Sequence, residues 1–176
     1  MPGLRETDRE LYEAIGQAGS PEVDLALRRL SRAANYSRLW VGSAAVLAGL
    51  GGPTGRRAAA TGMVSVGLTS AVVNQGFKRV FRRDRPLRVD EDLNRHVRMP
   101  TSTSFPSGHS ASAFAFAQGV SDTMPWTGIG LRILATAVAY SRIHTGVHYP
   151  ADVAVGALIG MGIGQSTADL VSKRWP

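Results

Sequence analysis

Two histidines, one carboxylate and three cations have types and spacings in this 176-residue chain that suit chemistry on a phosphate. His148 lies four residues before Asp152, one helical turn, so the carboxylate is placed to accept a hydrogen bond from the imidazole. Such a bond fixes the tautomer and leaves the other ring nitrogen free to attack. His109 is the natural second player, a general acid that protonates the departing oxygen. Lys78, Arg85 and Arg142 supply fixed positive charge, and arginine grips phosphate oxygens with paired donors. Pro106-Ser107-Gly108 sits just before an apolar run. Backbone N–H groups there, with the Ser107 hydroxyl, would face an anion at a helix N-terminus, and Gly108 lets the backbone come close. Together these groups could stabilise a transferring phosphoryl without a metal.

Something must hold three distant segments together: Lys78 to Pro86, Phe105 to Ser110 and Ser141 to Asp152. Between and around them run stretches almost free of charge: 39–52, 58–77, 107–121, 126–140 (Arg132 its one charge) and 153–168. Each is near or below the ~20 residues that cross a hydrocarbon core. Snorkelling Arg and the tryptophans Trp40, Trp126 and Trp175 could extend them. The pattern predicts an all-α integral membrane bundle of about five spanning helices joined by short turns, Gly51 to Gly55 and Met124-Pro125, with one longer loop, 82–106. If the helices alternate in direction, all three polar segments emerge on one side. Gly156, Gly160 and Gly164 recur every fourth residue, a spacing that permits close helix contact within or between chains.

Residues 1–38 carry six Arg and six acidic residues and read as two amphipathic helices. Thr7 with Glu10 suggests a capping box ahead of Leu11, Tyr12 and Ile15. Ser20-Pro21 suggests a second start, ahead of Val23, Leu27 and Leu30. The whole, 1–176, is expected to be a single domain, with the catalytic bundle in 39–176.

The three polar segments resemble the signature of the type 2 phosphatidic acid phosphatase family. Its pattern is Lys, six residues, Arg-Pro; then Pro-Ser-Gly-His; then Ser-Arg, five residues, His, three residues, Asp, and every position is matched in order from Lys78 to Asp152. The resemblance implies that His148 is the nucleophile, Asp152 its partner and His109 the acid. It assigns phosphate binding to Lys78, Arg85, Ser107, Gly108 and Arg142, and implies no metal and no other cofactor. The implied activity is hydrolysis of a terminal phosphomonoester or diphosphate of a phospholipid or polyprenyl lipid, decaprenyl-phosphoryl phosphoribose phosphate among the candidates. The setting would be a bacterial inner membrane, with the site on the cytoplasmic side and the oligomeric state open. Members commonly have six spans, so five is a departure at the N-terminus.

The same residues admit other readings. A phosphotransferase would pass the phosphoryl group to a lipid or sugar hydroxyl. A vanadium haloperoxidase-like oxidoreductase is similar in the three blocks but larger and soluble. A binding or transport protein would not need His148. The net charge of +7 and pI of about 10.7 would suit nucleic acid, but basic residues are not interleaved with exposed aromatics. A metal site at His109, His148 and Asp152 is disfavoured by the cations around it. Absence of Cys excludes disulfides and thiolate metal sites. His144 is expected to be structural and His96 solvated. Arg79, Arg82, Arg83 and Arg88 read as loop or lipid-anchoring charges.

Overall fold

The computed structural model describes residues 3–88 and 95–174, and every regular element among them is helical. The chain runs α1 (Leu4–Gln17), α2 (Pro21–Ala33), α3 (Arg38–Leu50), α4 (Gly52–Ala71), a π-helical stretch Val72–Phe77, α5 (Lys78–Val80), α6 (Gly108–Ser121), α7 (Pro125–His144) and α8 (Pro150–Arg174).

Helix α6 is the axis of the molecule and packs on α4, α7 and α8. Its sequence has no polar face: Ala111, Ala113, Ala115, Phe116 and Ala117 are all fully buried. A helix apolar or small all round belongs inside a bundle. The glycine ladder of α8 makes the tightest of these contacts. A Cβ at Gly156 would lie 2.5 Å from Ser107 O, one at Gly164 2.7 Å from Ala115 O, and one at Gly160 would strike Ala111 O. The small-residue spacing therefore serves packing within the chain, and it pins the start of α6 to the start of α8. Trp40 and Phe116 meet at 5.6 Å between ring centroids in the main core.

Several expectations change. Helix α1 begins at Leu4 with Gly3 as its N-cap, so Thr7 and Glu10 lie inside the helix and form no capping box. Ser20 does cap α2, accepting from Val23 N, with Pro21 first in the helix. Trp40 is buried core and not an interfacial anchor, because it packs on Phe116 of α6 within the main core cluster. Trp126 is exposed at the start of α7 as expected, and Trp175 lies outside the described residues. The turn after α3 shrinks to Gly51, which places Arg56 and Arg57 on α4. Among the described residues, α8 alone is long and apolar enough to cross a membrane by length and composition. Arg132, the isolated charge of α7, is satisfied by donating to Gln118 Oε1 at 2.8 Å.

Candidate active site

The first polar segment is delivered by the end of the α4–α5 run. Its π-helical stretch widens the last turns before Lys78, a distortion often found at functional positions. Lys78 Nζ donates to Ser102 Oγ at 3.2 Å. Arg85 reaches the same serine through Nη2 at 3.2 Å and donates through Nε to Ser102 O at 2.9 Å. Its Nη1 donates to Val147 O at 2.6 Å and faces His148 Nε2 at 3.3 Å. The first and third polar segments therefore meet at Arg85.

The second segment opens α6. Ser107 is the N-cap, and its Oγ accepts from Ser110 N at 3.4 Å and Ser110 Oγ at 3.0 Å. Ser107 N donates to Asp152 O at 2.9 Å, which ties the second segment to the third. Gly108 faces Asn74 and Lys78: a Cβ there would stand in van der Waals contact, 3.7 Å from Asn74 Oδ1 and 3.8 Å from Lys78 Nζ. His109 Nε2 donates to Asn35 Oδ1 at 3.0 Å.

The third segment is a tight turn from α7 into α8. Gly146, at φ 74°, adopts the left-handed conformation that ends α7, and the chain folds back so that Val147 N and His148 N both donate to Arg142 O. Arg142 is buried, and its Nη1 donates to Ser31 Oγ at 2.6 Å. His148 is 2% exposed and Asp152 fully buried. His148 Nδ1 faces Asp152 Oδ2 at 3.6 Å, longer than the hydrogen bond expected from the spacing. The carboxylate's oxygens are engaged elsewhere: Oδ2 accepts from Ser104 Oγ and from Tyr149 N at 2.9 Å, and Oδ1 accepts from Arg83 Nη1 at 2.9 Å.

These contacts assign the His148 tautomer. Arginine can only donate, so Nε2 faces Arg85 with its lone pair and the ring proton sits on Nδ1, toward Asp152. Burial pushes the His148 pKa down to about 4; Asp152 opposes the shift, while Arg85 and Arg142 add to it. The ring is therefore neutral at pH 7, with Nε2 basic and beside a cation. Burial also lowers the Arg85 pKa from its ordinary value, with Asp152 pulling the other way.

Two cavities meet at His109 and Tyr36. One, of about 440 Å³, is lined by Arg32, Asn35, Arg98, Ser102 and Arg142. The other, of about 280 Å³, lies between α3, α4 and α6 and is lined by Ala34, Trp40, Ser70, Asn74 and Lys78.

All eight predicted site residues thus come together: His148, His109, Asp152, Lys78, Arg85, Ser107, Gly108 and Arg142. Sequence reasoning missed Asn35, Ser102 and Ser104, whose types carry no signal by themselves, Asp8, one of six acidic residues in 1–38, and Arg83, read as a loop or lipid-anchoring charge. His96 is buried beside Gly146, not solvated, because its loop packs onto the α7–α8 turn. His144 is structural as expected, its Nε2 donating to Asp24 Oδ1 at 2.6 Å.

Comparison with known proteins points one way. The family described as the PAP2 superfamily matches residues 59–176. A decaprenylphosphoryl-5-phosphoribose phosphatase of Mycolicibacterium smegmatis is 37% identical over 143 residues, 79% of this chain and 74% of that protein. A putative undecaprenyl-diphosphatase of Escherichia coli is 34% identical over 58% of this chain and 51% of that protein. Among solved structures, Aquifex aeolicus LpxE is similar with a TM-score of 0.70 and 26% identity, covering 92% of this chain and 94% of that one. A PAP2-type phosphatidylglycerolphosphate phosphatase of Bacillus subtilis shares the fold with a TM-score of 0.68 at 22% identity, covering 99% of this chain and 87% of that one.

Proposed function

The chain belongs to the PAP2 superfamily, and on that premise we propose that it is a membrane phosphatase that hydrolyses the terminal phosphate of a polyprenyl lipid through a phosphohistidine. The observation that carries the reading is the neutral His148, its Nε2 lone pair turned to Arg85 while Lys78 shares Ser102 with the same arginine. Nε2 attacks phosphorus, the bond from phosphorus to the leaving oxygen breaks, and His109 supplies that oxygen with a proton. Water then attacks the phosphohistidine, giving its proton to His109 as the P–Nε2 bond breaks, and phosphate is released. Lys78, Arg85 and Arg142 offset the charge on the phosphoryl oxygens, and Gly108 leaves room for them at the α6 N-terminus.

The relatives' names make decaprenylphosphoryl-5-phosphoribose phosphate the first substrate to test and undecaprenyl diphosphate the second. The cavity beside Arg98 suits the polar part of the lipid. Helices α3, α4, α6 and α7 are read as crossing the membrane alongside α8, five in all. Exposed Val46, Leu50, Val64, Leu68, Ile133 and Leu158 on the outer helices support this, since so much bare apolar surface is at home in lipid. With the N-terminal helices taken as cytoplasmic in a bacterial cell, the second and fourth crossings return the chain to that side, so the site would lie there and the C-terminus opposite; a C-terminal tag found in the cytoplasm would overturn that topology.

The test is phosphate release from a panel of lipid phosphates by detergent-purified protein in EDTA, with His148→Ala in parallel. Release that persists in EDTA and disappears in the variant supports the reading. Equal release from the variant, or none from any lipid, rejects it.

A further inference from the structure

The catalytic carboxylate proposed above is held by two residues that the signature does not specify, one within its first segment and one on helix α1. Arg83 lies two residues before Arg85, in the loop after α5, and its guanidinium bridges two carboxylates. Nη1 donates to Asp152 Oδ1 at 2.9 Å and Nη2 donates to Asp8 Oδ2 at 2.7 Å. Asp8, on α1, uses its other oxygen to accept from Ala151 N at 2.8 Å, a first-turn amide of α8 with no partner inside its own helix. Asp8, Arg83, Asp152 and the adjoining Ala151 backbone therefore close a ring.

A second set of contacts fixes the plane of that ring. The Arg83 guanidinium carbon sits 4.1 Å from the Tyr149 ring centroid, and Tyr149 packs edge-on against Tyr12 at 5.5 Å. Tyr12 Oη donates to Leu87 O at 2.9 Å. Asp8 and Tyr12 are four residues apart, on one face of α1, and both are buried. One helix face thus grips both the loop that carries Arg85 and the turn that carries His148.

The charge arithmetic matters. Asp152 has a side chain with no solvent exposure, and a buried carboxylate needs donors or counter-charge. Arg83 alone would draw negative charge away from His148, whose ring becomes cationic on attacking phosphorus. Asp8, 8% exposed at its side chain, balances Arg83, so Asp152 is oriented without its charge being consumed.

We propose that Arg83 and Asp8 are positioning residues for the His148–Asp152 pair, which makes helix α1 part of the catalytic apparatus and not only a membrane-surface helix. This rests on the phosphohistidine reading above. The two residues touch neither phosphate nor the attacking nitrogen; they hold the carboxylate on which the imidazole's orientation depends.

The experiment compares Arg83→Met, Arg83→Lys, Asp8→Asn and the double variant Asp8→Asn/Arg83→Met with wild type. Arg9→Gln, an exposed position on the same helix, serves as the control and His148→Ala as the reference. Each full-length protein is purified in detergent and assayed for phosphate release from a polyprenyl phosphate, with thermal unfolding alongside. Misplacing a catalytic group by about an ångström costs up to roughly 100-fold. Arg83→Met should therefore lower kcat about 10- to 100-fold with KM changed less than about threefold. Arg83→Lys should recover part of the loss, Asp8→Asn should lose less, and the double variant should lose less than the product of the single effects. Wild-type kcat in Arg83→Met, or a fall in kcat that tracks only the folded fraction, overturns the proposal. If Arg83→Met does not fold, Arg83→Lys and Asp8→Asn decide, and wild-type kcat in both overturns it. Activity retained by His148→Ala would instead reject the underlying reaction, so the two failures are distinguishable.

Discussion

Two histidines four residues apart at either end of the α7–α8 turn, His144 and His148, each sit buried beside an aspartate and an arginine, yet their surroundings differ. His144 has both nitrogens engaged: Nε2 donates to Asp24 at 2.6 Å and Nδ1 accepts from Arg95 Nη2 at 3.2 Å. Arg95 then ties α1 to α7, donating to Ile15 O, Ala18 O and His144 O. His148 has the other tautomer, with its proton on Nδ1 facing Asp152 at 3.6 Å and its lone pair on Nε2 facing Arg85 at 3.3 Å. Residue types and burial are nearly the same in both clusters. What separates the His144 clamp from the proposed nucleophile is which nitrogen keeps its lone pair, Nδ1 facing Arg95 in the clamp and Nε2 facing Arg85 in the nucleophile.

The largest effect that would break this comparison is in activity. His148→Ala should lower phosphate release on the order of 1000-fold or more, as removal of a nucleophile does. His144→Ala, assayed per folded molecule, should keep activity within about tenfold. A His144 variant as inactive as the His148 variant, yet equally folded, would erase the distinction.

Stability should sort the other way. Asp24→Asn weakens the His144 clamp and should lower unfolding free energy by about 1–3 kcal/mol, read as the midpoint of thermal unfolding in detergent. The scaffold common to both clusters is more sensitive to shape. Gly160→Leu should force α8 off α6 and destabilise by at least as much, while Gly162→Ala, with nothing within 4 Å of its Cβ, should be neutral or stabilise by up to about 1 kcal/mol. Equal effects at positions 160 and 162 would refute the close-approach account.

The smallest effect is the most specific. With its pKa pushed down to about 4, His148 should stay neutral from pH 7 to pH 5 by nitrogen NMR of labelled histidine. Its signal is assigned by its loss in His148→Gln. Because the unfolded imidazole takes its proton near 6.5, stability from keeping His148 neutral is complete above that pH. It is lost as pH falls from about 6.5 toward 4. Arg85→Gln removes one of the charges that depress the value, so the midpoint should rise while staying below 6.5. A wild-type midpoint at 6.5 would contradict the buried setting.

Much of this was legible in the chain. The three polar segments and the uncharged stretches between them marked the eight candidate residues that the fold brings together and the helices that do so. The glycine spacing on α8 announced close packing, although within the chain or between chains could not be read from it. The amphipathic texture of residues 1–38 announced α1 and α2 but not their use. Nothing in their pattern told Asp8 from the other acidic residues near it, or Arg83 from Arg79 and Arg82. Trp40 and His96 misled for the same reason: a residue's type states a preference for surroundings, and the partners that override it come from distant segments.

Local chemistry and periodicity were therefore determined by sequence alone: which groups could attack, protonate or bind phosphate, and which stretches would be helices. Tertiary structure decided which proton sits on which histidine, which carboxylate oxygen meets which donor, and which arginine bridges two carboxylates while its neighbour faces a histidine. These depend on distances of about 3 Å between residues up to 143 positions apart, as between Asp8 and Ala151. Hydrogen bonds weaken steeply beyond such distances, so no pattern read along one chain segment can specify them.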